Sequence, residues 1–349
     1  MTDLNKWYWL TILVVSGVLI YLLAPVLTPF VIGAILAYIG DPLVDRLEKY
    51  KLPRTLAVVI VFLVLTLIAV TALIIVIPML EKQIVILGQK IPIYIEKIQT
   101  QLIPWLNARF GMDIIIDPEQ LKKNLNINWT QAGGVATTII TSISRSGAYL
   151  AALAANLVLI PVVTFYMLRD WDILVARVRE ALPRKSEPVI CKIAKESDEV
   201  LGSFLRGQLL VMLALSLIYS VGLGFIGLDL ALLIGLIAGL VSFVPYLGFI
   251  VGIVIASIAA VMQFSDLTHL VYVGIVFMVG QMLEGMVLTP ALVGDRIGLH
   301  PVAVIFAVLA GGQLFGFLGV LLALPVAAII AVILRYLHEQ YKSSTMYSG

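Results

Sequence analysis

Charge is the scarcest resource in this chain. Of 349 residues only 13% are Asp, Glu, Lys or Arg, while 61% are apolar, against soluble norms of about 25% and 45–50%. A soluble globular domain is excluded on that ground. There is a single cysteine, Cys191, which rules out an intramolecular disulfide, and no His/Cys grouping has the spacing of a zinc site. Neither a metal nor another cofactor is expected. The 23 Lys and Arg nearly balance the 21 Asp and Glu and form no basic tract, so nucleic acid is not an expected partner. A phosphate-cradling loop of the Walker type is also missing, which leaves ATP-driven pumping unsupported.

What fills the space is apolar sequence. No charged residue lies between Lys6 and Asp41, Arg54 and Glu81, Arg145 and Arg169, Arg206 and Asp229, Asp229 and Asp266, or Arg296 and Arg335. Those gaps hold 34, 26, 23, 22, 36 and 38 residues. Because about 20 helical residues cross a bilayer core of about 30 Å, each gap accommodates one span and the longest accommodate two. The expected fold is all-α: a polytopic transmembrane protein of about 8–10 membrane segments, some broken or re-entrant. The lipid bilayer is therefore an expected partner. The run after Lys6 is far longer than a signal-peptide core and is expected to remain as the first span.

Five regions follow from the distribution of charge. Residues 1–80 read as N-terminal transmembrane helices. Pro25 and Pro29 interrupt the first run and predict a hairpin of two short helices, 7–25 and 29–47. A third span, 55–79, is expected to end at Pro78. Residues 81–145 form the largest polar insert, a small helical cap with amphipathic spacing and a helix start at Asp117-Pro118-Glu119. Residues 146–168 make another span. Residues 169–206 carry eight Lys/Arg and seven Asp/Glu, as suits a solvated helical loop. Residues 207–340 form a C-terminal core. Short loops rich in Lys and Arg are retained inside, so 41–54, 169–206 and both termini are expected in the cytoplasm and 81–145 outside.

The core carries a faint internal repeat. Gly207-Gln208-Leu209 is echoed by Gly280-Gln281-Met282, and the run from Gly227 to Phe249 resembles that from Gly298 to Val320. Three spans per copy would make residues 207–265 and 267–334 inverted copies, an arrangement common in transporter cores. Matching segments would then meet near the midplane, with Gln208 and Gln281 facing one cavity.

Several of these stretches point further. FYMLRD at 165–170, FLRGQL at 204–209, the run 227–252, EGMVLTPALVGDRIGLHPVAV at 284–304 and GGQLFGFLGVLLALPVAA at 311–328 together resemble the autoinducer-2 exporter family of bacterial permease-like proteins. The likeness extends over residues 1–340 in layout, with its specific motifs after Phe165. It implies a multi-pass inner-membrane protein that exports a small signalling molecule such as autoinducer-2, or, in other members, a sodium/proton antiporter. A passive, channel-like homo-oligomer stays open as an alternative.

Candidate residues come from the core. Glu284 lies eleven residues from Asp295, about 16 Å along a helix, a depth at which a carboxylate must face protein or water rather than lipid. A proton- or sodium-responsive site is the functional reading, and a structural hydrogen bond to Gln281 is the other. Gln208 and Gln281 can bind a polyol through their amides or simply join helices. Pro245 is the expected helix break, where freed backbone groups could line a path. The family resemblance adds Arg206 as a gate or ion-pair residue. Asp229 and His300 read as caps at membrane boundaries. No catalytic residue is assigned: SRSGA at 144–148 lacks the glycine of a serine-protease loop, and Asp229, Asp266 and Asp295 all stand at span edges rather than inside.

Overall fold

A computed structural model describes residues 3–97, 100, 147–264, 266–293, 300–343 and 347. Among the described residues eight helices follow one another: α1 Asp3–Glu48, α2 Arg54–Lys97, α3 Gly147–Glu180, α4 Glu187–Phe225, α5 Ala231–Val241, α6 Leu247–Phe264, α7 Leu267–Leu283 and α8 Pro301–Lys342. Past Leu283, α7 loosens into a π-helical stretch, Glu284–Val293. Among the described residues there is no strand. Among the described residues six helical stretches are long and apolar enough to cross a membrane, and two more apolar helices, Ala231–Val241 and Val302–Gly316, are shorter. The chain is a polytopic helical membrane protein.

Two expectations about helix ends are corrected. The hairpin at Pro25 and Pro29 does not form, since α1 runs through both prolines without a break. The third span does not end at Pro78 either, because α2 continues through Pro78 and Pro92 to Lys97. In a membrane helix the carbonyls that proline frees can be satisfied locally or by neighbours, so proline need not end it. The polar stretch 169–206 is likewise mostly the ends of two helices, α3 reaching Glu180 and α4 beginning at Glu187. The expected helix start at Asp117 lies outside the described residues, as does most of the insert.

The chain divides into two compact units. The first comprises Met1–Leu67, Ala151–Gly207 and Leu292–Gly349, and the second Ile68–Leu150 and Gln208–Ala291.

In the first unit, Ala37, Val44, Ala57, Val58, Val61 and Leu168 form a buried cluster where α1, α2 and α3 meet. Arg54 ties the same corner together. Its guanidinium donates to the Asp41 carboxylate at 3.0 Å, to Glu48 at 3.2 Å, to the carbonyls of Leu168 and Arg169 at 3.2 and 3.1 Å, and to Asp172. A planar, permanently charged fork serves five acceptors at once, which a lysine could not do. Along α8, Gly316 has φ +59°, in the region glycine enters at little cost. The chain folds back there, for a Cβ on Gly311 would lie 2.4 Å from the Gly319 carbonyl oxygen, whereas eight residues of straight helix span about 12 Å. His300 caps α8 by accepting from the Val302 amide at 3.3 Å.

In the second unit, glycines set the helix spacing. A Cβ on Gly235 or Gly239 would lie 2.4 or 2.5 Å from the backbone nitrogen of Ser220 or Ser216, so α5 lies antiparallel against α4 with backbones nearly touching. A Cβ on Gly280 would lie 2.2 Å from the Tyr219 ring, and one on Gly222 would lie 2.7 Å from Val276. This places α7 antiparallel to α4 on another side. Small residues at helix crossings are the usual means of association in lipid, where apolar burial gives little drive. The second half of α2 joins this unit through two polar ties. Gln83 Oε1 accepts from the Leu233 amide at the start of α5 at 2.7 Å, and Lys90 pairs with Asp229. Asp229 is thus an ion-pair partner rather than a cap. Between α6 and α7, Asp266 accepts from the backbone and ring of His269, which holds its carboxyl below the usual range.

Candidate transport site

The second unit contains a helix interruption. Between α5 and α6, residues 242–246 leave helical geometry, with Pro245 inside the break and Tyr246 at φ 67°. A break in the apolar core frees carbonyls that need donors. Gln208 supplies one from α4: its Nε2 donates to the Ser242 carbonyl at 2.6 Å and to Phe243 at 3.4 Å. The Ser242 hydroxyl turns back to Ala238 at 2.8 Å. Gln208 is only 6% exposed, so an amide that would otherwise be costly to bury is matched to the carbonyls that the break exposes.

Glu284 sits at the junction of α7 and the π-helical stretch, 7% exposed. It lies seventeen residues past Leu267 in a span that ends at Val293, about 26 Å and 14 Å from the two ends at helical rise. Gln281 stands one turn before it on α7, beside its carboxylate. Beside it stands Tyr219 of α4, fully buried and stacked on Phe277 at 4.5 Å between ring centres. Gly280 is one turn before Glu284 on the same face, and a Cβ there would lie 3.0 Å from the Tyr219 hydroxyl. Neither that hydroxyl nor Gln281 Oε1 has a hydrogen-bond partner among the described residues. π-Helical turns inside α-helices gather at functional sites, and here the turn begins at the one buried carboxylate of the span.

The candidate residues therefore fall into three places. Glu284 and Gln281 are together, with Tyr219. Gln208 and Pro245 are together at the break. Gln208 precedes Tyr219 by eleven residues, about 16 Å along α4, so the two glutamines have separate partners. Arg206 belongs to the first unit. It is exposed and lies over Gly202, where a Cβ would be 2.7 Å from its guanidinium and 3.1 Å from the Tyr38 hydroxyl. Tyr38 in turn donates to Asp198 at 2.6 Å. Sequence reasoning missed Tyr219 and Arg54. Nothing in one sequence tells a buried tyrosine from a lipid-facing one, and Arg54 looked like any interfacial arginine. Within the described residues no group of three or more His, Cys, Asp or Glu is placed to hold a metal ion.

Comparison with known proteins agrees with this architecture. The model of the AI-2E family of transporters matches residues 10–339. The chain belongs to that family. One relative is YrrI of Bacillus subtilis (strain 168), named as a candidate transport protein, 31% identical over 88% of this chain and 85% of its own length. The AI-2 transport protein TqsA of Escherichia coli (strain K12) is 24% identical over 93% and 92%. A sodium-lithium/proton antiporter of Halobacillus andaensis is 27% identical over 91% and 92%. This AI-2E family member is a multi-pass membrane protein, and transport of a small molecule across the bilayer is the activity its family carries.

Proposed function

We propose that this chain exports a small, hydroxyl-rich solute such as autoinducer-2 across the bacterial inner membrane, driven by an ion that binds at Glu284. The observation that carries this reading is the interrupted helix at 242–246 with Gln208 on its free carbonyls. Broken helices in transporters expose backbone groups where substrate passes, and an amide is a neutral partner for a hydroxyl. Two relatives support the two halves separately, one named for AI-2 transport and one for cation/proton antiport. The second reading, a sodium/proton antiporter without organic cargo, is favoured by the burial of Glu284. Neither reading involves enzyme chemistry. The inverted repeat 207–265 and 267–334 is retained in the proposal: each copy holds a long helix, then a short apolar helix, then a break at 242–246 or Gly316. A homo-oligomer completes the proposal, several copies working side by side.

Purified protein in liposomes, loaded with autoinducer-2 or with sodium under an imposed proton gradient, separates the readings. Export is expected to accelerate about tenfold when the gradient is imposed, a change of about 1.4 kcal/mol in the barrier. Sodium movement with no solute flux would replace the exporter by the antiporter, and flux of neither would sink both.

Orientation has its own test. Both termini and the 181–186 turn are proposed to be cytoplasmic, because the helix ends around that turn are rich in Lys and Arg. With Cys191 changed to Ser, a cysteine at Thr100 should react with an impermeant thiol reagent in intact cells, and one at Ile190 should not. The reverse pattern would invert the topology.

A further inference from the structure

We propose that the ion bound at Glu284 is a proton, and that Tyr219 and Gln281 are the hydrogen-bond partners that make the carboxyl reversibly chargeable inside the membrane. The inference rests on reading the chain as an ion-coupled transporter, but names the ion and the groups that handle it.

The geometry supports a proton over a metal cation. Around Glu284 the structure leaves a fully buried tyrosine hydroxyl and a buried amide oxygen without partners. Buried polar groups left unpaired are rare and need an explanation. In the ionised form the carboxylate can accept from two donors, the Gln281 N–H and the Tyr219 O–H. When a proton arrives from water, one carboxylate oxygen becomes a hydroxyl, and that O–H needs an acceptor. Gln281 Oε1 is such an acceptor once the amide turns over, while the remaining carbonyl oxygen keeps the Tyr219 O–H. Both states are then paired, and release of the proton to the other side restores the first. A cation of sodium's size would need added room and more oxygens, whereas the face of α7 beside Gly280 is filled by the Tyr219 ring, held by its stacking on Phe277.

Among the described residues no fixed charge is placed against the site. From α4 the titratable group that faces this part of α7 is Tyr219, packed on Gly280, and α6 meets α7 through Phe249 and Gly252 at Phe277, neither of them charged. On α7 itself Asp266 and His269 lie fifteen or more residues away, over 20 Å along the helix. Charge on Glu284 is thus set by the proton and by its two neutral partners.

Infrared difference spectra of the protein in membranes, taken across a pH titration without substrate, read the protonation directly. A carboxylic acid band that titrates and disappears in Glu284→Gln is expected. In Tyr219→Phe, which keeps the ring packed, the same band should persist with its midpoint moved about tenfold in proton concentration toward higher pH, since a donor to the anion is lost. Gln281→Leu should move it the same way. If no titrating band depends on Glu284, or if Tyr219→Phe leaves the midpoint where it was, the proposal is overturned. A spectrum that responds to sodium at constant pH and loses that response in Glu284→Gln would also overturn it, in favour of a metal cation. Should the band titrate as expected while liposomes move no solute, the proton site stands and the export reading fails.

Discussion

Valine in place of Gly239 should leave little functional protein in the membrane, and what remains should neither transport nor melt like the parent. The reason is backbone geometry rather than bulk. A Cβ at this position would lie 2.0 Å from the Ser216 Oγ and 2.5 Å from the Ser216 backbone nitrogen. A hydroxyl could rotate away, but the backbone of α4 cannot, so α5 would have to separate along its length. Overpacking of this kind costs about 1–3 kcal/mol in a soluble core that can adjust. Here the short α5 depends on the same seam for Gly235 against Ser220 and delivers the break that Gln208 caps, so a larger loss is expected. Valine at Gly274 is the control, because nothing lies within 4 Å of a Cβ there. Membrane yield, thermal unfolding in detergent and liposome flux are measured for both. If Gly239→Val behaves like Gly274→Val, the backbone seam is not what holds α5 in place.

Glycine seams and breaks also mark how far the sequence could be read. The number and position of apolar runs were visible as gaps in charge, because lipid tolerates few charges and the spacing of the exceptions is the spacing of the spans. The break at Pro245 was visible because a glycine and a proline stand close together in an otherwise uniform run. The prolines at 25, 29 and 78 looked the same and produced no break. At the break itself a neighbouring group satisfies a freed carbonyl, and for Ser242 that group is Gln208, thirty-four residues earlier. Long-range pairing of this kind leaves no trace in local composition. The same holds for Glu284. Its depth followed from counting residues, while the approach of Tyr219 from α4 depended on Gly280 lying opposite it, which periodicity alone does not reveal. Arg54 shows the limit from the other side: its five acceptors come from α1, from the helix end before it and from α3, so its role emerges only when three helices meet.

Leucine at Gln208 should reduce solute efflux about tenfold, and leucine at both Gln208 and Gln281 should reduce it by about the product of the two single effects. Replacing Gln208 leaves the Ser242 and Phe243 carbonyls facing an apolar side chain, at a cost of about 1–3 kcal/mol for a buried group left unpaired. That loosens the break on which the proposed path depends. Replacing Gln281 instead removes the amide beside Glu284 and leaves the 242–246 segment untouched. Effects at sites with no shared partner and more than about 10 Å apart add in free energy, and Gln281 follows Gly280, which packs on Tyr219, about 16 Å along α4 from Gln208. A single cavity binding one solute between both amides would behave differently, because the first substitution would leave one amide still able to hold a hydroxyl and the second would remove the last. Efflux by the double variant far below the product of the singles would therefore favour one shared cavity, while a double variant that transports normally would exclude both glutamines from the path. Retained membrane insertion is expected throughout, since leucine suits a span, and the comparison of unfolding temperatures separates loss of the break from loss of the protein.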